Sequence, residues 1–373
     1  MEYISILWDY VLPFLIVLTI LVFVHELGHY WVARRCGVRV EVFSIGFGPE
    51  IVGWTDKADT RWKISAIPLG GYVKMFGEGE FVGDADGELP RPLTPAERGV
   101  SFRYKTIAQR AAIVFAGPAA NFVFAIIVLA ALYVTLGQPY TPAEIATVVK
   151  GSAAEKAGIK PGDRIIRIDD EDIGSFEQVQ QIIRMSPEQP VHIVVLRDGA
   201  EVSFEVTPTL REVKDRIGGT VHIGMLGVTR QGTTEIRDLG PVASLWQAVL
   251  ETKNISVGTL EAIGQIIVGT RSTNELGGPI KIAQMSGEVW KLGAISLISF
   301  TALISINLGL INLFPIPMLD GGHLLFFAFE AVRGRPLGEK AQEYGFRIGV
   351  VLVFSLMLFV IINDIAGLSI WNT

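Results

Sequence analysis

Val24-His25-Glu26-Leu27-Gly28-His29-Tyr30 is the stretch from which the whole chain can be read. It carries an H-E-x-x-H pattern at the end of an uncharged apolar run, residues 11–24. Positions four apart share one face of a helix, so His25 and His29 can hold one metal ion together. Glu26 stands beside that face, where it can take a proton from water at the metal. Ionisable side chains after such a run are costly in a bilayer and mark a functional site. The stretch therefore raises a specific expectation, a metal-dependent protease working within the membrane.

Composition sets the frame. Half of the 373 residues are hydrophobic and 19% are charged, and the mean hydropathy is +0.42. That is apolar for a soluble protein and polar for a bundle of spans alone, which predicts membrane helices plus one water-soluble domain. The net charge of −6, without a long basic run, argues against nucleic acid as a partner. Cys36 is the only cysteine, which excludes an internal disulfide and a cysteine-based zinc site. Ligands must then come from His, Asp and Glu. Met1-Glu2-Tyr3 offers no basic leader, and no small-residue cleavage site precedes the histidines, so the first span is expected to be retained.

Spans are expected at about 9–33, 107–136, 293–314 and 346–366. After the first, the pattern turns to short strands at 41–47 and 62–67, with a turn at 54–62 and Pro68 to Met75 following. Lipid forbids open sheet edges, so this sheet must pack on protein or line a wet cavity. It either offers an edge to an extended peptide or only packs. Residues 77–105 read as an acidic, Gly/Pro-rich loop. The second span contains Gly117-Pro118-Ala119-Ala120-Asn121, whose small residues allow close helix contact. Asn121 is expected to serve the bundle rather than the chemistry.

The third span runs into Asn312-Leu313-Phe314-Pro315-Ile316-Pro317-Met318-Leu319-Asp320-Gly321-Gly322-His323. Two prolines end the regular helix, and irregular backbone at membrane depth is tolerated only where it lines a site. A catalytic zinc typically takes three protein ligands and keeps one open position. His25, His29 and Asp320 fill three, with Glu26 as general base. His323 competes for the third place, and Asn312 is a candidate for hydrogen-bonding the substrate backbone. His192 and His222 read as surface or strand residues.

Residues of about 140–212 read as soluble. Small residues and a short helix lead to Gly158-Ile159-Lys160-Pro161-Gly162-Asp163 and a strand, then a helix over about 175–185 and strands at 191–196 and 202–207 around Arg197-Asp198-Gly199. This order resembles a PDZ domain of the bacterial type, present once. It is expected either to bind peptide termini or to gate access. Two short strands follow within 216–235. Residues 241–270 carry apolar positions at helical spacing, which predicts an amphipathic helix or a short span. The chain divides into an N-terminal membrane half (1–136), the PDZ domain (137–212) and a C-terminal membrane half (213–373). The expected fold is a multi-span α-helical membrane protein of about four transmembrane helices, with a membrane-associated β-sheet and one inserted α+β PDZ domain. Arg34, Arg35, Arg39, Arg103, Lys105, Arg110, Arg333, Arg335 and Arg347 flank the spans on one side. The positive-inside rule then places both termini and the PDZ domain outside, with the metal site toward the cytoplasm.

His25-Glu26-Leu27-Gly28-His29, Gly117-Pro118-Ala119-Ala120-Asn121, the PDZ segment and Asn312 through Gly321 together resemble the site-2 protease family of intramembrane zinc metalloproteases, in the family's order and over nearly the whole chain. The resemblance implies a bacterial inner-membrane enzyme with Zn2+ as cofactor. It would cleave transmembrane segments of single-span membrane proteins, such as anti-sigma factors, after another protease has trimmed them. It also implies a re-entrant β-sheet, whose 61–76 edge, with Ile64 and Ile67, would hold the unwound substrate. Many members carry two tandem PDZ domains, and this chain shows one. The rival classes are a PDZ-bearing membrane scaffold with a structural metal, which has no need of Glu26, and a metal transporter, which needs polar groups along several spans.

Overall fold

A computed structural model of the chain describes residues 7–77, 93–214, 220–230, 235–269, 277–335 and 338–367. Residues 78–92 of the expected 77–105 loop lie outside these, as does the His222 side chain. The element order begins α1 (Leu12–Arg35), β1 (Val40–Thr55), β2 (Arg61–Met75), α2 (Pro95–Val100), α3 (Ile107–Leu136). It continues through β3 (Gln138–Tyr140), β4 (Ile145–Val148), α4 (Ala153–Ala157), β5 (Arg164–Ile168), β6 (Glu171–Asp172), α5 (Phe176–Met185), β7 (Val191–Arg197) and β8 (Ala200–Val206). Next come β9 (Thr209–Lys214), β10 (Thr220–Met225), β11 (Val228–Arg230) and β12 (Glu235–Arg237). The chain closes with α6 (Pro241–Val268), α7 (Pro279–Lys291), α8 (Ala294–Asn312), α9 (Asp320–Arg333) and α10 (Glu339–Gly367). Contacts divide it into two units, one of Met1–Ala130, Leu245–Thr259 and Leu276–Thr373, the other of Ala131–Ser244 and Leu260–Glu275.

Among the described residues, four helices are long and apolar enough to cross a membrane: Trp8–Arg35, Ile107–Leu136, Ala294–Asn312 and Lys340–Ile365. The third stops at Asn312, earlier than its apolar run, because the prolines that follow withhold amides and clash with helix geometry. α6 is one continuous helix that does not meet the same criterion.

In the first unit, β1 and β2 each fold back on themselves. Phe43 pairs with both Val73 and Trp62, and Ile45 with both Gly71 and Ile64, while Val52 pairs with Ile64 from the other side. The result is four runs in the order 50–55, 61–65, 40–45, 71–75; the outer pairs are antiparallel, while the inner runs pair in parallel register, Val42 with Arg61 through Ile45 with Ile64. The folds occur where the backbone has positive φ, at Gly46 (88°), Gly48 (85°) and Gly70 (105°), a region closed to most side chains. This corrects the expected 61–76 edge. Ile64 lies on an inner run, paired on both sides, and Ile67 pairs with Phe47; the outer runs are 50–55 and 71–75, so of the expected 61–76 edge only 71–75 is open.

The sheet is fastened to α1 by the last residue of the opening stretch. The Tyr30 hydroxyl donates to Asp56 Oδ2 at 3.2 Å, and Trp62 Nε1 donates to the same oxygen at 2.9 Å. Trp62 stacks on Phe43 with ring centroids 4.2 Å apart, and Tyr30 meets both rings edge-on. Offset and edge-on aromatic pairs each contribute about 0.5–1.5 kcal/mol beyond their buried area. Below them Ala33, Val38, Val40, Met75 and Ile113 form one buried cluster joining α1, the sheet and α3.

In the second unit, the sheet order is β6-β5-β7-β8, all antiparallel. β7 and β8 turn at Asp198 (φ 51°) and Gly199 (φ 82°), the two positive values a tight hairpin requires. Ile145, Ile165, Ile193 and Val195 form the centre of its core, and burial of each such side chain stabilises by about 1.5–3 kcal/mol. Leu226 belongs to this core and β11 pairs with β4, so the folded unit runs beyond residue 212.

Beneath this sheet Asp163, 1% exposed, accepts two 2.7 Å hydrogen bonds from Arg197, which also donates to the Gly158 carbonyl. Burial alone would raise the Asp163 carboxyl; the Arg197 guanidinium and the Lys160 amide outweigh it and hold the group below the usual carboxylate range. A depressed folded value means that the contribution is complete above the unfolded pKa of about 3.9 and is lost as pH falls through the folded value. Arg197→Ala is therefore expected to destabilise this unit at pH 7, because it leaves the Asp163 carboxylate, 1% exposed, without its paired donors. The difference from wild type should shrink as pH drops below about 4. Thermal unfolding of the detergent-purified chain across pH measures both; a pH-independent difference would rule out the carboxylate as its source.

Candidate active site

The site is assembled from three helices of the first unit. α1 presents His25 and His29 on one face, with Nε2 atoms 3.2 Å apart. Asp320 opens α9, where a carboxylate is favoured by the helix N-terminus. Its Oδ2 lies 3.2 Å from His25 Nε2 and its Oδ1 3.6 Å from His29 Nε2. The glycines after it make this placement possible: a Cβ on Gly321 would overlap the carbonyl oxygens of Leu313 and Phe314, and one on Gly322 that of Ile316. The chain before Asp320 is strained, with Met318 at φ 139°.

The third helix, α3, supplies the orientation. His29 Nδ1 donates to the Ile113 carbonyl at 2.9 Å, which leaves its Nε2 lone pair toward Asp320. The Asn121 amide, fully buried, lies 3.1 Å from His25 Nδ1. The nitrogen Nδ2 is the atom facing the ring; the flipped amide would place Oδ1, which is buried without a partner, on the Nδ1 proton and leave His25 Nε2 unprotonated, as a metal ligand requires. Ser305 on α8 donates to the Asn121 carbonyl at 2.9 Å and pins that turn. The helices come this close because two positions lack side chains. A Cβ on Gly28 would overlap the Ala116 carbonyl oxygen, and one on Gly117 would overlap His29 Nε2.

These donors suit a zinc ion. The ligand atoms of His25, His29 and Asp320 lie within 4.8 Å of one another. Their closest spacings of 3.2–3.6 Å match the edge of about 3.3 Å expected for a tetrahedron with zinc–nitrogen bonds of about 2.0–2.1 Å. Asp320 Oδ2 is buried and accepts no hydrogen bond. A buried carboxylate oxygen without a hydrogen bond, beside the Nε2 atoms of two imidazoles, calls for a cation.

Glu26 lines the same cleft, about 660 Å³ in volume, with Gly71, Tyr72, Val73, Asn312 and His323. The Val73 amide hydrogen-bonds its carboxylate, so the open sheet edge faces it. Gly71 allows that approach, since a Cβ there would lie 2.6 Å from Val22 Cγ1 and 3.3 Å from Glu26 Cγ. His323 borders the cleft but is not in the three-residue group. Ile64 and Ile67 do not line it. Asn121, expected to serve the bundle, instead touches His25; its only cue in the sequence is a lone amide in an apolar span.

Peptidase family M50 matches residues 13–356. A protein of Agrobacterium fabrum named "putative zinc metalloprotease" is 44% identical over 365 residues, covering 97% of each chain. One of the same name from Rhizobium meliloti is 44% identical over 361 residues and 96% of each chain. The metalloprotease MmpA of Caulobacter vibrioides is 36% identical over 373 residues and 94% of each chain. With its apolar helices and this extent of match, the chain belongs to peptidase family M50, the site-2 protease family, and is a membrane zinc metalloprotease.

Proposed function

We propose that the protein hydrolyses peptide bonds within the transmembrane segments of single-span membrane proteins, with His25, His29 and Asp320 as zinc ligands and Glu26 as general base. The observation that carries this reading is one cleft holding all four side chains and an unpaired strand edge. A bound zinc ion supplies Lewis acidity, polarising a carbonyl and bringing water within reach of ionisation near neutral pH. Glu26 takes the proton from the attacking water and delivers it to the leaving amine. The Ile113 carbonyl holds the His29 imidazole in the tautomer that leaves Nε2 free, and the Asn121 amide orients the His25 ring through Nδ1. Asn312 borders the cleft, in position to hydrogen-bond the substrate backbone.

A transmembrane helix hides its peptide bonds, so the substrate must be drawn out into an extended strand. Residues 71–75 present an edge that pairs on one side only with β1, and strand addition there would align the substrate past Glu26. The second unit reads as a PDZ domain that either binds peptide ends or gates access. Its order of β4, α4, β5, α5 and β7 supports that assignment. The basic residues flanking the spans support a bacterial inner-membrane protein with both termini and this domain outside and the site toward the cytoplasm. Substrates of the anti-sigma-factor kind, trimmed first by another protease, fit such an enzyme.

Substrate retention tests the edge apart from the chemistry. In a Glu26→Gln background, co-expressed single-span proteins shortened on the outer side should copurify with the enzyme. Val73→Pro, which removes the amide facing the cleft, is expected to lower that retention at least tenfold with zinc still bound. Unchanged retention would count against strand addition.

A further inference from the structure

The far end of the cleft holds an ion pair that the chemistry above does not use. Arg110 Nη2 donates to Glu330 Oε1 at 2.7 Å, and both side chains are nearly buried, 14% and 15% exposed. The guanidinium lies 4.9 Å from the centre of the Phe327 ring, which itself packs on Phe102. The two charges come from different helices, 220 residues apart in sequence.

Position gives the pair its meaning. Arg110 is one turn before Ile113, whose carbonyl orients His29, and two turns before Gly117, which abuts both imidazoles. Glu330 stands ten residues after Asp320 on α9, about 15 Å along the axis. The proline break holds one end of α9 through the close contacts of Gly321 and Gly322. The ion pair holds the other end to α3. A desolvated ion pair adds little net stability but specifies one arrangement, since shifting either helix leaves a buried charge alone.

We propose that Arg110 and Glu330 are positioning residues. Their pair latches α9 to α3 so that the Asp320 carboxylate meets the two imidazoles at ligand spacing. The proposal rests on the reading of His25, His29 and Asp320 as zinc ligands. Breaking the latch frees the distal end of α9, and the loss appears first in metal affinity rather than in the acid–base step.

The test measures zinc affinity by chelator competition on the full chain in detergent, with the visible absorption of the cobalt-substituted protein as a second readout of ligand geometry. Arg110→Met and Glu330→Gln are each expected to weaken zinc at least tenfold and to change the cobalt spectrum. The exchange Arg110→Glu with Glu330→Arg should restore affinity to within about threefold. Single variants within twofold of wild type would overturn the latch, and so would an exchange no better than the singles. His29→Ala in the same series separates the two levels of the argument. If it keeps wild-type affinity, the ligand assignment fails; if it loses zinc while the Arg110 and Glu330 variants keep it, only the latch fails.

Discussion

Glu26→Gln is expected to abolish hydrolysis, by roughly 10³-fold or more, with zinc content unchanged. The substitution preserves shape and the hydrogen bond from the Val73 amide, but an amide oxygen cannot accept the proton that an attacking water must lose. Glu26 is not in the group of potential metal ligands, so the donors stay intact. The measurement pairs mass spectrometry of cleavage products from a co-expressed single-span protein with zinc stoichiometry of the purified enzyme. A variant that still processes substrate would return the chain to the scaffold class, where this carboxylate has no task.

Gly117→Ala is the second large effect, although it adds one methyl group. Its Cβ would overlap His29 Nε2 and lie 2.5 Å from Cε1 of the same ring and 2.9 Å from His25 Cε1. The Nε2 atom so displaced is the one turned to Asp320. α3 cannot retreat without opening its contact with Gly28, where the Ala116 backbone already touches α1. Zinc is therefore expected to be lost or bound well below stoichiometry, and activity to fall at least about 10²-fold, as for a reacting group misplaced by about 1 Å. Overpacking adds a stability loss of about 1–3 kcal/mol. Asn121→Ala provides the comparison, since it removes an orienting contact without filling the site and should weaken zinc by about 10–100-fold. Full zinc occupancy in Gly117→Ala would show that the imidazoles are not held where they are drawn.

Much of this was legible from spacing. His25 and His29 share a helix face because the helical period dictates it, and Asp320 stood out because two prolines make backbone at membrane depth irregular. The structure brings those residues together, and the helices fall where apolar runs place them. What could not be read was which groups meet across helices. Asn121 in an apolar span announces only that a polar group needs a partner. That the partner is His25 follows from the crossing of α1 and α3 at Gly28 and Gly117, which no local pattern encodes. Alternation located the strands of β1 and β2 but not their double pairing. The glycines at 46, 48 and 70 turn each strand back on itself, and that moves Ile64 inside the sheet and exposes residues 71–75 instead. The limit near 212 failed for a related reason: β11 returns to β4 after an intervening hairpin, a long-range pairing without local signal.

The bond between Tyr30, Asp56 and Trp62 has a consequence for which substrates are cut fastest. It makes the sheet and the motif helix one body, so the distance from edge to Glu26 is fixed before any peptide arrives. Under the proposed reading, the variable quantity is then the free energy of unravelling the guest helix. Glycine in a helix interior lowers helical stability by about 1 kcal/mol relative to alanine, and proline by about 3 kcal/mol. Turnover should therefore grade with the helix propensity of the residues near the scissile bond more than with their identity.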